Sequence, residues 1–278
     1  MKCNTFTVAI LLLAIFISSA TAHTWVEDIL HIAQNGTLIG PAGYARGTIS
    51  RDSVPGPDQV MVWKTLNETL TADRSICSTV QQKGTQTPDF PVFEGSQGEV
   101  MALQYLENGH VSLLQASRPL HGGTIYIYGT STPSNDDKLL SIHRVWNAAG
   151  TGGDKRGKLL ATRPFDDQQC YEADNGGAIS KARALEFPTI SGASLKCQTD
   201  FQIPDDAPAD YTFYWVWDWP QLNLDGTIIN NEIYTQCLDV KVSGKTKLLA
   251  KDIKVEKPAF YDSIAIAEQI TEAFLVDP

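Results

Sequence analysis

Residues 211–219 read Tyr-Thr-Phe-Tyr-Trp-Val-Trp-Asp-Trp, and this run constrains the fold more than any other segment. Side chains alternate across a strand, so Tyr211, Phe213, Trp215, Trp217 and Trp219 share one face. An aromatic face of that size has to be covered, which predicts a central core strand. Residues 99–106, 123–130, 196–203 and 231–242 are also rich in β-branched or aromatic residues and are bounded by Gly, Pro or Asn. Together they predict an all-β fold, an antiparallel immunoglobulin-like β-sandwich with long loops.

Two stretches do not fit the strand pattern. Residues 147–177, from Asn147-Ala148-Ala149-Gly150-Thr151-Gly152-Gly153-Asp154 to Asp174-Asn175-Gly176-Gly177, are too polar and glycine-rich for core strands and predict one long loop. Residues 244–278 open with Lys245, Lys247, Lys251, Lys254 and Lys257 and continue with Ile264, Ala265, Ala267, Ile270 and Phe274, which predicts a short tail helix. No repeat and no second apolar run of membrane length is present. The expected organisation is a leader over 1–22, a sandwich domain over 23–243 and a tail over 244–278.

The leader is read from Lys2, the apolar run from Val8 to Ile17, and the small residues Ser18-Ser19-Ala20-Thr21-Ala22. This order matches a secretory signal peptide cut after Ala22, which leaves His23 at the mature terminus. Loss of Lys2 leaves 21 basic residues against 32 acidic ones, a net charge of −11. That charge disfavours nucleic acid and anionic membranes as partners. Cys3 leaves with the leader, and Cys77, Cys170, Cys197 and Cys237 remain. Four cysteines in an oxidising compartment predict two disulfides, with three pairings open. Asn35-Gly36-Thr37 and Asn67-Glu68-Thr69 make Asn35 and Asn67 glycosylation acceptors.

A histidine at a free terminus offers a ring nitrogen and an α-amine within one chelate, and the amine has an ordinary pKa of only about 8. A second histidine would complete a three-nitrogen site, and nitrogen-rich tetragonal sites suit Cu(II). The partners available are His31, His110, His121 and His143. His31 belongs to the expected first strand, and His143 precedes the apolar Val145-Trp146, so both read as packing or surface residues. His110, in Glu107-Asn108-Gly109-His110, lies at a strand rim where a glycine turn can re-aim a side chain, and His121 beside Gly122-Gly123 competes with it.

His23-Thr24-Trp25, Asn108-Gly109-His110 and Glu232-Ile233-Tyr234-Thr235-Gln236-Cys237 resemble the motifs of the copper-dependent lytic polysaccharide monooxygenases of fungi. The resemblance implies one copper ion in a histidine brace of His23 and His110, with Tyr234 on the axial side. It implies outer roles for Glu232 and Gln236, which share the Tyr234 face of a strand, and disulfides Cys77–Cys237 and Cys170–Cys197. From His23 to about residue 242 the chain also resembles the appressorium-associated Gas-type secreted proteins. Arg156-Gly157, Phe165-Asp166-Asp167, Gln169-Cys170-Tyr171 and Trp215-Val216-Trp217-Asp218-Trp219-Pro220 follow in the corresponding order.

The expected function is that of a secreted, monomeric copper protein that oxidatively cleaves a plant or fungal cell-wall polysaccharide. The alternative is copper binding or wall attachment without turnover. Tyr44 and Trp63 are the candidate surface aromatics for a polysaccharide. The adjacent pairs Asp166-Asp167 and Asp205-Asp206 alternate sides of the chain and do not make a glycosidase pair facing one bond.

Overall fold

The computed structural model describes residues 23–113 and 115–278. The leader and its cleavage site lie outside the described residues apart from His23 itself. The strands in chain order are β1 (Asp28–Ile32), β2 (Leu38–Gly43), β3 (Lys64–Leu66), β4 (Phe93–Gln97), β5 (Val100–Tyr105) and β6 (Thr124–Thr130). They continue with β7 (Gly157–Pro164), β8 (Cys197–Gln202), β9 (Asp210–Asp218), β10 (Gln221–Leu222), β11 (Ile228–Asn230) and β12 (Glu232–Lys245). The helices are short: α1 (Pro57–Val60), α2 (Leu139–Ile142), α3 (Ala178–Glu186) and α4 (Ala267–Thr271). No helix among the described residues is long and apolar enough to cross a membrane.

One sheet runs β2-β1-β5-β8 and the other β3-β12-β9-β6-β7, with β4 pairing in parallel with the end of β12. β10 and β11 form a separate hairpin between β9 and β12. The other pairings are antiparallel, and the chain is a β-sandwich as its strand pattern predicts.

β9 has neighbours on both edges and both faces. Tyr211, Phe213, Trp215 and Trp217 enter the core between the sheets, where they meet Met101, Leu103, Tyr105, Phe201, Tyr234 and Leu238. Tyr214 and Val216 face outward into a second apolar layer with Ile76, Cys77, Leu139, Trp146 and Cys237. The period-two rule sorts β12 the same way, with Tyr234 and Leu238 in the core and Ile233 and Cys237 outside. The Cys77–Cys237 disulfide staples the outer layer to β12, and Cys170–Cys197 ties the start of β8 to the preceding loop.

The stretch 147–177 is not one loop, because β7 pairs along β6 from Thr124↔Pro164 to Thr130↔Gly157. Its Leu159 and Ala161 supply apolar contacts on opposite faces. Arg163, in the middle of this polar stretch, is buried at 1% exposure. Its guanidinium donates to the carbonyls of Thr162, Asp200, Gln269 and Ala273, which satisfies the group without a carboxylate partner. Burial pushes its pKa down to about 10.

Gln269 and Ala273 belong to the tail. Residues 264–276 strap the outer face of the four-stranded sheet, where Ala265 and Ile270 pack on Ile32, Leu38, Val100 and Ala102. The strap ends on the edge of β7, with Leu275 N donating to Thr162 O. The helical part is only the five residues of α4, and Phe274 lies beyond it in a bridge to Thr162.

Candidate functional site

The site is assembled from three pieces of chain at one end of the sandwich. The first is the segment before β1. Thr24 Oγ1 donates to Leu106 O at 2.6 Å and Glu27 N to Gln104 O at 2.8 Å, so residues 23–27 run beside the end of β5. Trp25 and Val26 anchor this segment in the core. His23 is half-buried, and its Nδ1 is buried without a hydrogen-bond partner among the described residues.

The second piece is the turn at 107–112, which leaves β5 and reverses through Asn108 at φ +44° and Gly109 at φ +80°. Two successive residues at positive φ turn the backbone sharply, and a glycine at the second lowers the cost. The buried Glu107 carboxylate locks the turn from inside. It accepts from Val111 N at 2.8 Å, Ser112 N at 3.3 Å and the Ser112 hydroxyl, while Glu107 O accepts from His110 N at 2.9 Å. The side-chain amide of Asn108 donates to the carbonyl of His23, which fastens the turn to the first piece.

The third piece is the β9–β12 pair. His110 is 4% exposed and stands edge-on to Trp219 at 4.1 Å and Trp217 at 4.6 Å, with Phe165 at 6.1 Å and Tyr234 at 6.3 Å between ring centres. Tyr234 stacks on Trp217 at 4.6 Å and donates its hydroxyl to Glu232 Oε1 at 2.6 Å. Glu232 Oε2 accepts from Arg118 Nη2 at 2.9 Å, and Lys64 Nζ lies 3.7 Å from Oε1. Arg118 also donates to Trp219 O at 3.0 Å and lies 3.6 Å over the Trp219 ring. Burial first, then the neighbouring Glu232 charge, raises the Tyr234 pKa far above its ordinary value, so its hydroxyl keeps its proton.

The structure therefore gathers His23, His110, Tyr234 and Glu232 around one end of the fold. Gln236 shares the β12 face, but its side chain is engaged elsewhere, accepting from Gln81 Nε2 at 2.8 Å and donating to Met61 O at 2.6 Å. The other histidines have separate settings. His31 pairs with Glu99 and lies against Phe93. His143 is buried between the Tyr128 hydroxyl and Asp218. His121 is exposed, at φ +57° in a turn. Asn35 and Asn67 are exposed, Asn35 in the β1–β2 turn, and the Asn67 side chain bonds to the 229–231 backbone.

Tyr44 packs edge-on to Phe90, and Trp63 lies 3.7 Å under the Arg74 guanidinium. Asp166 is bound by Arg183, and Asp167 accepts from the backbone of Gln169, Cys170 and Gln198. Asp167 lies close enough to Cys170 and Cys197 to suggest a metal cluster, but both sulfurs are consumed in a disulfide. The sequence carries no signal for the roles of Arg118, Glu107 and the Trp217–Trp219 cage around His110. Single charges in loops carry no period, and the tryptophans read there only as core.

The profile of a family described as "Domain of unknown function (DUF7492)" matches residues 20–267. Among solved structures the chain is similar to a cellulose-active polysaccharide monooxygenase from M. thermophila, at 16% identity over 88% of this chain and 85% of that one, with a TM-score of 0.34. It is also similar to the catalytic domain of a lytic polysaccharide monooxygenase (LPMO) from Listeria monocytogenes, at 12% identity over 72% and 95%, TM-score 0.35. CvAA9A shares 14% identity over 90% and 85%, TM-score 0.36. No curated protein matches the sequence.

Proposed function

We propose, for a chain that belongs to the family described as "Domain of unknown function (DUF7492)", that the protein is a secreted copper protein. In this reading His23 and His110 hold one copper ion, and the protein acts oxidatively on a cell-wall polysaccharide. The observation that carries the reading is the bond from the Asn108 amide to the His23 carbonyl, because it fastens the segment bearing one imidazole to the turn bearing the other.

The donor set suits the metal. A buried imidazole nitrogen costs free energy unless something bonds to it, and His23 Nδ1 has no described partner. With the leader cut after Ala22, the α-amine would join that nitrogen in one chelate, and His110 would add a second ring. Two imidazoles and an amine are a donor set that favours Cu(II), which would supply one-electron and oxygen chemistry when bound.

The chain's own residues prepare that chemistry. Phe165, Trp217 and Trp219 exclude water from His110 and limit its ring orientation. Tyr234 presents a protonated hydroxyl oriented by Glu232, and Arg118 with Lys64 balances the Glu232 charge. In this reading Tyr234 and Glu232 form the outer shell of the site, and Gln236 supports β12 from the loop side. The resemblance to the Gas-type proteins would place the protein at fungal infection structures.

One observation favours the reading without turnover, in which the copper protein attaches to the wall. Trp219 is covered on one face by Arg118 and Trp63 by Arg74, which restricts the aromatic surface for stacking on sugars. The experiment is a copper titration of mature protein with a sequenced His23 terminus, followed by incubation with a reductant and chitin, glucan, cellulose or pectin. Tight one-to-one binding with oxidised oligosaccharides by mass spectrometry is the expected result. Binding without products selects the second reading, and failure to bind copper overturns both.

A further inference from the structure

Between residues 241 and 257 the sequence places six lysines, at 241, 245, 247, 251, 254 and 257, against only Asp252 and Glu256. Six positive against two negative charges is a local excess of four in a chain of net charge −10. Lys64, Lys158, Lys196 and Lys241 each pair with an acid. Lys245, Lys247, Lys251, Lys254 and Lys257 are all exposed and form no salt bridge among the described residues.

The backbone under these lysines is fixed. Thr246 N donates to Gln97 O at 2.9 Å, Lys254 N to Gln34 O at 2.8 Å and Glu256 N to Asn35 O at 3.2 Å. Ile253 and Val255 pack against the apolar cluster of the four-stranded sheet. Gln34, Lys247, Leu248, Lys251, Asp252 and Lys254 line an open groove of about 430 Å³. Like charges held at fixed spacing without counter-ions of their own keep a local positive potential that favours an anionic partner.

We propose that this groove binds an acidic polysaccharide, a polymer carrying carboxylates at regular intervals. Lys247, Lys251 and Lys254 meet the carboxylates, and the Gln34 amide meets a hydroxyl. Residues 241–257 contain no aromatic residue on which a nucleobase could stack. A polybasic patch holds a membrane stably only with a lipid chain or a spanning helix beside it, and no helix among the described residues is long and apolar enough to span. The choice of a polysaccharide among polyanions rests on the function proposed above, whereas the anion preference rests on the groove alone.

The groove lies far from the proposed copper site. β12 begins at Glu232 beside Tyr234 and ends at Lys245, and its 14 residues span roughly 45 Å at about 3.3 Å each. An anionic polymer held at the lysine end leaves the His110 end clear of it.

The test measures retention of the full mature protein on polygalacturonate and on cellulose at rising salt, beside Lys247→Gln/Lys251→Gln/Lys254→Gln. Exposed substitutions of this kind leave stability nearly unchanged, and a melting curve checks that the variant folds. Expected are tighter binding to polygalacturonate than to cellulose, release by salt, and a loss of at least about tenfold with a shallower salt slope in the variant. Equal binding to cellulose, undiminished binding by the folded variant, or tighter binding to DNA or anionic vesicles would overturn the proposal. A copper titration of both proteins separates the two ideas. Copper binding unchanged by the three substitutions, with polygalacturonate binding lost, assigns the polymer to the groove. Failed copper binding with polymer binding intact overturns the function proposed above and leaves the groove standing.

Discussion

His110 is held by the backbone of its own turn and by the aromatic rings around it, so removing the imidazole removes a nitrogen donor without unfastening the turn. In the proposed site, His110→Ala weakens copper binding by more than the ten- to hundredfold typical of losing an outer-shell partner, and His121→Ala leaves it unchanged. Quenching of Trp217 and Trp219 fluorescence during a copper titration reads both. Tyr234→Phe takes away a 2.6 Å bond to the Glu232 carboxylate and costs about 1–3 kcal/mol of stability in a denaturant titration. Copper affinity in that variant falls by no more than about ten- to hundredfold, the loss typical of an outer-shell partner, and so by less than in His110→Ala. His23, His110, Glu232 and Tyr234 are legible in the sequence as candidates because they fall in short motifs. Arg118 escapes that reading because its partners, Glu232 and the carbonyl of Trp219, lie 114 and 101 residues away.

At the level of elements, β12 organises the site, since it carries Glu232 and Tyr234 on one face and the disulfide cysteine on the other. Replacing Cys77 and Cys237 by Ala opens a link between residues 160 apart and lowers unfolding free energy by about 2–5 kcal/mol. The loss is measured by denaturant unfolding and accompanied by a shift in near-ultraviolet dichroism. Strands with unbroken alternation, β9 and β12 above all, are legible in the sequence because the two-residue period matches burial on both faces. β7 is not legible, since its membership depends on Arg163 being satisfied by carbonyls of a strap that is distant in sequence. The extent of the tail helix is equally hidden. The apolar positions Ala265 and Ile270 do face the sheet, whereas Ile264 is held in a strand-like backbone bridge to Thr37.

For the whole molecule, pH acts through buried carboxyls. Loss of hydration raises the pKa of Asp167 to about 6 and of Asp200 to about 7, whereas both ionise near about 4 in an unfolded chain. Between those values the folded state holds more protons than the unfolded one. The stability they contribute is full below about 4 and is lost as pH rises through 6 to 7. Asp239 has the opposite sign: burial pushes its pKa up, but the hydrogen bonds and charge of Arg46 pull it below its ordinary value, and its contribution disappears in stronger acid. The melting temperature is therefore expected to peak at mildly acidic pH and to fall towards about pH 8, with Asp200→Asn reducing that fall. A melting temperature that rises steadily to about pH 8 would contradict this assignment. The pairing of β12 with β3, β4 and β9 also sets an order of events during synthesis. Until residues 233–241 have been made, β9 has β6 on one edge and nothing on the other. The growing chain thus carries an open strand edge lined with tryptophan and tyrosine, a surface that invites pairing between chains. Production in bulk is then limited by how well that edge is sheltered while the last strand is still to come.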